Sequence, residues 1–127
     1  MSGIVKSEAA PVGSTGNNSH NPIGVAPPTT EICLEFNLEA VGTTVTFKVQ
    51  GLVADLSSPA AADWNDLAVV TADSDTPITT KAVTVVGRYY VYVSQAQSRF
   101  LKKIRLVTSA NTGCTYSGNF HMKIGGA

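Results

Sequence analysis

Residues 29–40 read TTEICLEFNLEA, and their alternation decides the fold class. Ile32, Leu34, Phe36 and Leu38 fall on one face, and Glu31, Cys33, Glu35, Asn37 and Glu39 fall on the other. A period of two with greasy and polar sides is the pattern of a half-buried β-strand. TVTFKVQG, residues 44–51, repeats it with Val45, Phe47 and Val49 inward. The short AVGT between them, with Gly42, predicts that the two strands form a hairpin.

The pattern continues downstream. LVADLSSPAAADWNDLAVV (52–70) is a loop around Pro59 that leads into a short strand, and ADSDTP (72–77) is a turn. ITTKAVTVVG (78–87) puts Val83 and Val85 in phase. GRYYVYVSQ (87–95) sets Tyr89, Val91 and Val93 against Arg88, Tyr90 and Tyr92. RFLKKIRLVTS (99–109) places Phe100, Ile104 and Leu106 on one side, with Lys103, Arg105, Leu101 and Val107 on the other. CTYSGNFHMKI (114–124) has Phe120, Met122 and Ile124 in phase. No helical period of 3.6 appears. About seven or eight short strands separated by turns predict an all-β, antiparallel sandwich of jelly-roll or Greek-key type over residues 31–127.

Residues 1–30 have a different composition. Pro11, Pro22, Pro27 and Pro28 oppose a helix, and Gly3, Gly13, Gly16 and Gly24 keep the chain pliable. Ile4, Val5, Val12, Ile23 and Val25 are too sparse to form a core of their own. The segment reads as an extended N-terminal arm, without stable shape when free, that drops single apolar side chains into pockets of another surface. Fully extended it would reach on the order of 90–100 Å at ~3.3 Å per residue.

Bulk composition excludes several classes. The 127 residues carry nine basic and nine acidic side chains, which gives no electrostatic footprint for nucleic acid or a membrane surface. No apolar run approaches the ~20 residues of a membrane span, and the N-terminus lacks the apolar block of a secretory signal. Charge is uneven along the chain, however. Residues 31–75 hold eight acidic groups and one basic group, while residues 81–127 hold seven basic groups and no acidic one. Two readings are open. The acidic and basic strands lie side by side within the domain, or Glu31, Glu35 and Glu39 face Lys102, Lys103 and Arg105 of a neighbouring subunit, where complementary charge sets register.

The search for chemistry is mostly negative. His20 sits in the arm, and His121 lies opposite the apolar face of the last strand. Cys114 and His121 are separated by ~23 Å of strand, too far for a thiolate–imidazole pair. Zinc would need four N/S ligands at motif spacing, which are absent. Asp73 and Asp75 resemble oxygen ligands for calcium, but Asp is equally a turn residue. Cys33 and Cys114 fall in the first and last strands, and both a disulfide and two free thiols are open to them. The reading is of a protein without catalytic residues, metal or cofactor, made of a surface and an arm. Trp64 is a core lid or, with Tyr90 and Tyr92, a platform for stacking a sugar.

The arm, TVTFKVQG (44–51) followed by ADWNDLAVV (62–70), and the strand pair GRYYVYVSQAQSRFLKKIRLV (87–107) together resemble small bacteriophage virion proteins that decorate or cement the outside of a capsid. The likeness covers about residues 43–108. The Ala/Ser/Pro-rich loop before Trp64 departs from it by lacking an Asp-Gly turn. The resemblance implies a homotrimer on the capsid exterior, assembled in the host cytoplasm, with the major capsid protein as partner. Ile4, Val5, Val12, Ile23 and Val25 would then be the shell contacts. Deletion of residues 1–28 would abolish particle binding and leave the fold intact. Related sandwiches serve as carbohydrate-binding modules, which keeps Trp64, Tyr90 and Tyr92 in play.

Overall fold

The computed structural model describes residues 2–9, 15–20, 22–25, 29–54, 56–98 and 100–124. Twelve strands form among them: β1 (Ser2–Ala9), β2 (Thr15–Ser19), β3 (Ile23–Gly24), β4 (Thr29–Ala40), β5 (Val45–Leu52), β6 (Asn65–Asp66), β7 (Val69–Thr71), β8 (Ser74–Ile78), β9 (Lys81–Val83), β10 (Gly87–Val93), β11 (Lys103–Thr112) and β12 (Thr115–Ile124). One helical turn, α1 (Gln95–Ser98), links β10 to β11. The first sheet has the order β1-β12-β4-β10-β7-β8, and the second β2-β11-β5-β6, with β3 also on β11 and β9 also on β5. Every pairing is antiparallel. The all-β sandwich read from the sequence is the architecture observed, with more strands than expected among the described residues.

The alternation explains the core. Ile32, Leu34, Phe36 and Leu38 of β4 face Val45, Phe47 and Val49 of β5, and all seven are buried. Phe36 stacks on Phe47 with ring centroids 4.2 Å apart and on Tyr116 at 4.9 Å. Burial of apolar surface at this density supplies most of the driving force for folding. The Tyr116 hydroxyl, buried among these rings, shares hydrogen bonds with Thr108 Oγ1 and His20 Nε2, each 2.6 Å long. A buried phenol needs such partners, because an unpaired one carries its full desolvation cost.

β4 and β5 are not the expected hairpin. They belong to different sheets, so residues 41–44 form an arch across the sandwich. An arch lays the two apolar faces against each other, whereas a hairpin would leave them side by side. β11 and β12 are joined by a second such arch, and the two corners lock together. Thr43 N donates to Thr112 O at 3.0 Å, and Gly42 N reaches Cys114 Sγ at 3.4 Å. A Cβ on Gly42 would overlap the Thr112 carbonyl, which explains the glycine there. Asn111 ties the second corner by receiving Cys114 N at 2.8 Å and donating to Cys114 O at 3.2 Å.

The N-terminal segment is extended, but its described residues pair with the chain's own sheets. β1 runs along β12 from Ser2↔Lys123 to Ala9↔Ser117, while β2 and β3 line β11. The segment thus crosses from one sheet edge to the other and borders both. Ile23 and Val25 are 5% and 6% exposed and belong to the common core, which corrects their assignment as contacts for another protein. Ile4 and Val5 lie within β1, where Ile4 pairs with His121. Val12 lies outside the described residues.

Other strand ends depart from the sequence reading in both directions. ADSDTP is a turn only at Ala72–Asp73, since Ser74–Ile78 continues as β8. β9 stops at Val83, and Val85 is exposed in the following bend. Phe100 precedes β11 and is 63% exposed, whereas Leu101 turns into the core in its place. Both cysteines are free thiols. Their strands do pair, but Cys33 sits opposite His121 while Cys114 lies beyond the Thr115↔Ala40 end of the ladder. About seven residues of strand, or ~23 Å, therefore separate the two.

Candidate functional site

The outward face of the first sheet gathers residues from distant parts of the chain into cross-strand rows. One row runs Val70, Tyr92, Cys33, His121, and the next includes Tyr90, Glu35 and Asn119. The register follows from burial of the inward face, since a one-residue slip would put Leu34 and Phe36 in water. Glu35 is the electrostatic centre of this face. Its Oε1 accepts from His121 Nε2 at 2.9 Å, and its Oε2 lies 3.5 Å from Arg88 NH1.

Beside this cluster is a groove of about 600 Å³, lined among others by Glu31, Cys33, Val70, Pro77, Tyr92 and His121. Its floor is mostly apolar. Gln97 of α1 fixes one end, accepting from Ala68 N at 3.0 Å and donating to Ala68 O at 2.7 Å. Those bonds hold the segment before β7 against α1, so the wall does not depend on packing alone. A concave apolar site with a few polar groups is the usual form of a binding site.

Cys33 and His121 are cross-strand partners, a juxtaposition that the sequence reading missed by testing only Cys114 against His121. The environment does not favour a nucleophile. Burial, reinforced by the Glu35 charge, pushes the Cys33 thiol up to about 11, and the imidazole is directed to Glu35. A reactive cysteine needs the reverse, an electropositive surrounding that favours the thiolate. The arrangement is suited to contact, with a neutral thiol as part of an apolar floor.

The outward face of the second sheet is different. Arg105 donates from Nε and NH2 to Gln50 Oε1 at 2.9 and 2.7 Å, and its guanidinium lies 4.2 Å from the Trp64 ring centroid. Gln50 Nε2 donates to Asp66 Oδ1 at 2.8 Å, and Lys48 Nζ lies 3.1 Å from the same oxygen. Hydrogen bonds from Gln50 and Lys48 hold the Asp66 carboxyl below its ordinary range. Trp64 is 7% exposed beneath this network. It is a lid, and the proposal that it stacks a sugar is corrected by the arginine that covers it. Tyr90 and Tyr92 remain exposed on the first sheet, as expected.

The charged residues singled out from the sequence are split between the faces. Glu31, Glu35 and Glu39 lie on β4 of the first sheet, and Lys103 and Arg105 on β11 of the second, with Lys102 exposed just before it. Glu35 and Asp66 find partners within the domain, in Arg88 with His121 and in Lys48, so acidic and basic strands are in part neighbours. Lys103 Nζ donates to Leu56 O at 3.1 Å. Glu31 and Lys102 make no ion pair among the described residues.

No protein-family model matches this chain, and no curated protein matches it in sequence. Among solved structures it is similar to the crystal structure of SPBc2 prophage-derived protein YomS, with a TM-score of 0.64 at 13% identity. The match covers 97% of this chain and 92% of that one.

Proposed function

We propose that this chain is a bacteriophage structural protein that acts by surface contact and docks on the outside of a capsid shell. The observation that carries the reading is the fold likeness to a prophage-derived protein, which extends over nearly the full length of both chains. The protein would sit on the virion exterior as a homotrimer, assembled in the host cytoplasm, with the major capsid protein as its partner.

The arm takes a different part in this reading from the one its composition suggested. Ile23 and Val25 are occupied in the core, so they are not available to a shell. β1 is one of the two outermost strands of the first sheet among the described residues, and β2 borders the second. An outermost strand offers a row of backbone donors and acceptors for pairing with another chain. The segment would then grip the shell as an edge of the sandwich.

Co-sedimentation with undecorated particles tests the proposal. The full chain is expected to pellet with particles, and a variant lacking residues 1–9 is expected to stay folded and remain in the supernatant. A full chain that never pellets would sink the reading. Loss of residues 1–28 is expected to abolish folding itself, because it removes three strands, two core side chains and the His20 partner of Tyr116.

One observation favours a second reading as a carbohydrate-binding module. Tyr92 lines the groove while 41% exposed, and Tyr90 stands two residues away on the same face. An exposed aromatic in a groove is a stacking platform for a sugar ring. A glycan array on the full chain and on Tyr92→Ala would show binding by the first alone.

A further inference from the structure

The groove on the first sheet has a counterpart elsewhere on the same molecule. Three residues after Gln97, which lines the groove, the chain presents Phe100 with 63% of its surface in water. Val53 is also exposed, and its neighbour Leu52 accepts a 2.7 Å hydrogen bond from Lys102 N, which places the two loops together. Lys102 is exposed beside them. Phe100 is thus an exposed apolar knob, with an exposed cation two residues further on.

Knob and groove are complementary in kind. The groove is apolar, is open to solvent and carries Glu31 on its lining; the knob is apolar and carries Lys102. Neither charge is paired among the described residues, and Phe100 does not fill its own protomer's groove, since most of its ring is in water.

We propose that the occupant of the groove is a second copy of this chain, with Phe100 of one protomer seated against Tyr92 and Val70 of the next and Lys102 facing Glu31. Because the two surfaces differ, the contact is heterologous and points in one direction around the assembly. Such a contact closes into a ring when its rotation allows, and a ring of three is the trimer of the capsid reading. The proposal deepens that reading by naming the interface. It is tested without particles, so a failure of assembly and a failure of capsid docking are told apart.

Sedimentation velocity across a concentration series is the experiment, with the full chain, Phe100→Ser, Glu31→Lys, Lys102→Glu and the double charge swap. The full chain is expected to form one discrete assembly. Phe100→Ser should weaken it by about tenfold or more, as for a buried aromatic anchor. Each single charge reversal should weaken assembly about three- to tenfold, and the double swap should restore it, because the pair sets orientation. Phe100 is exposed, so its replacement spares the core; the charge swap carries the test if that variant does not fold. A full chain that stays monomeric throughout would overturn the proposal. So would assembly indifferent to Phe100, or a double swap no better than its singles.

Discussion

The two outward faces of this sandwich are built from the same alternation and do opposite things with it. On the second sheet, Lys48, Gln50, Asp66 and Arg105 hydrogen-bond to one another, and Arg105 covers Trp64. On the first sheet, Glu35 binds His121 and Arg88, but Glu31, Tyr90 and Tyr92 are left to solvent beside a groove. A face that pairs its own polar groups contributes to stability and offers little to a partner. A face that leaves aromatics and charge uncovered contributes less to stability and is available for contact.

The comparison breaks first at Trp64. Trp64→Ala is expected to cost about 3 kcal/mol, the low end for a buried tryptophan, measured by urea denaturation. Arg105→Ala should cost about 1–2 kcal/mol, since it removes a cation–π contact and the bonds to Gln50 and leaves the indole uncovered. Tyr92→Ala on the other face should change stability by no more than about 0.5 kcal/mol, as an exposed site does, while weakening self-association. A stability loss at Tyr92 as large as that at Trp64 would erase the distinction between the faces.

A pH experiment sharpens it further. With the Cys33 thiol at about 11 in the folded protein against an ordinary value of 9.0, folding favours its protonated form. Its contribution to stability is present below about pH 9 and is lost as pH rises toward 11. The alkylation rate of Cys33 is therefore expected to keep climbing past pH 9. In Glu35→Gln the inflection should move down, because one of the two causes of the shift is gone. An inflection near 9 in the native chain would contradict the burial assigned to this face.

The strands that carry the core were legible because burial writes a period of two into the side chains. β4, β5, β10 and β12 were all readable in this way. Backbone pairing leaves no such record. β1 and β2 gain their place through ladder hydrogen bonds, which need no apolar pattern, and so residues 1–30 looked like a free arm. Ile23 and Val25 were noticed, but isolated apolar residues do not say whose core they enter. The AVGT link was ambiguous for a related reason, since a short glycine loop serves a hairpin or an arch, and the choice depends on how the apolar faces meet. The groove was beyond reach because its walls come from β4, β7, β8, β10, β12 and α1. Only the register, which sets Cys33 beside His121 and Tyr92, brings them together. The acidic and basic segments were visible in the charge segregation, though not that β4 and β11 would fall in different sheets.

The central claim is that the first sheet's outward face is a contact surface filled by another copy of the chain. Cys33 lies in that groove, while Cys114 is fully buried in the core and stays silent in the folded protein. The direct measurement is the alkylation rate of Cys33 at fixed pH, from dilute to concentrated protein. The account expects the rate to fall as the chain assembles, and to stay constant in Phe100→Ser. Equal rates at every concentration for an assembling full chain would contradict it.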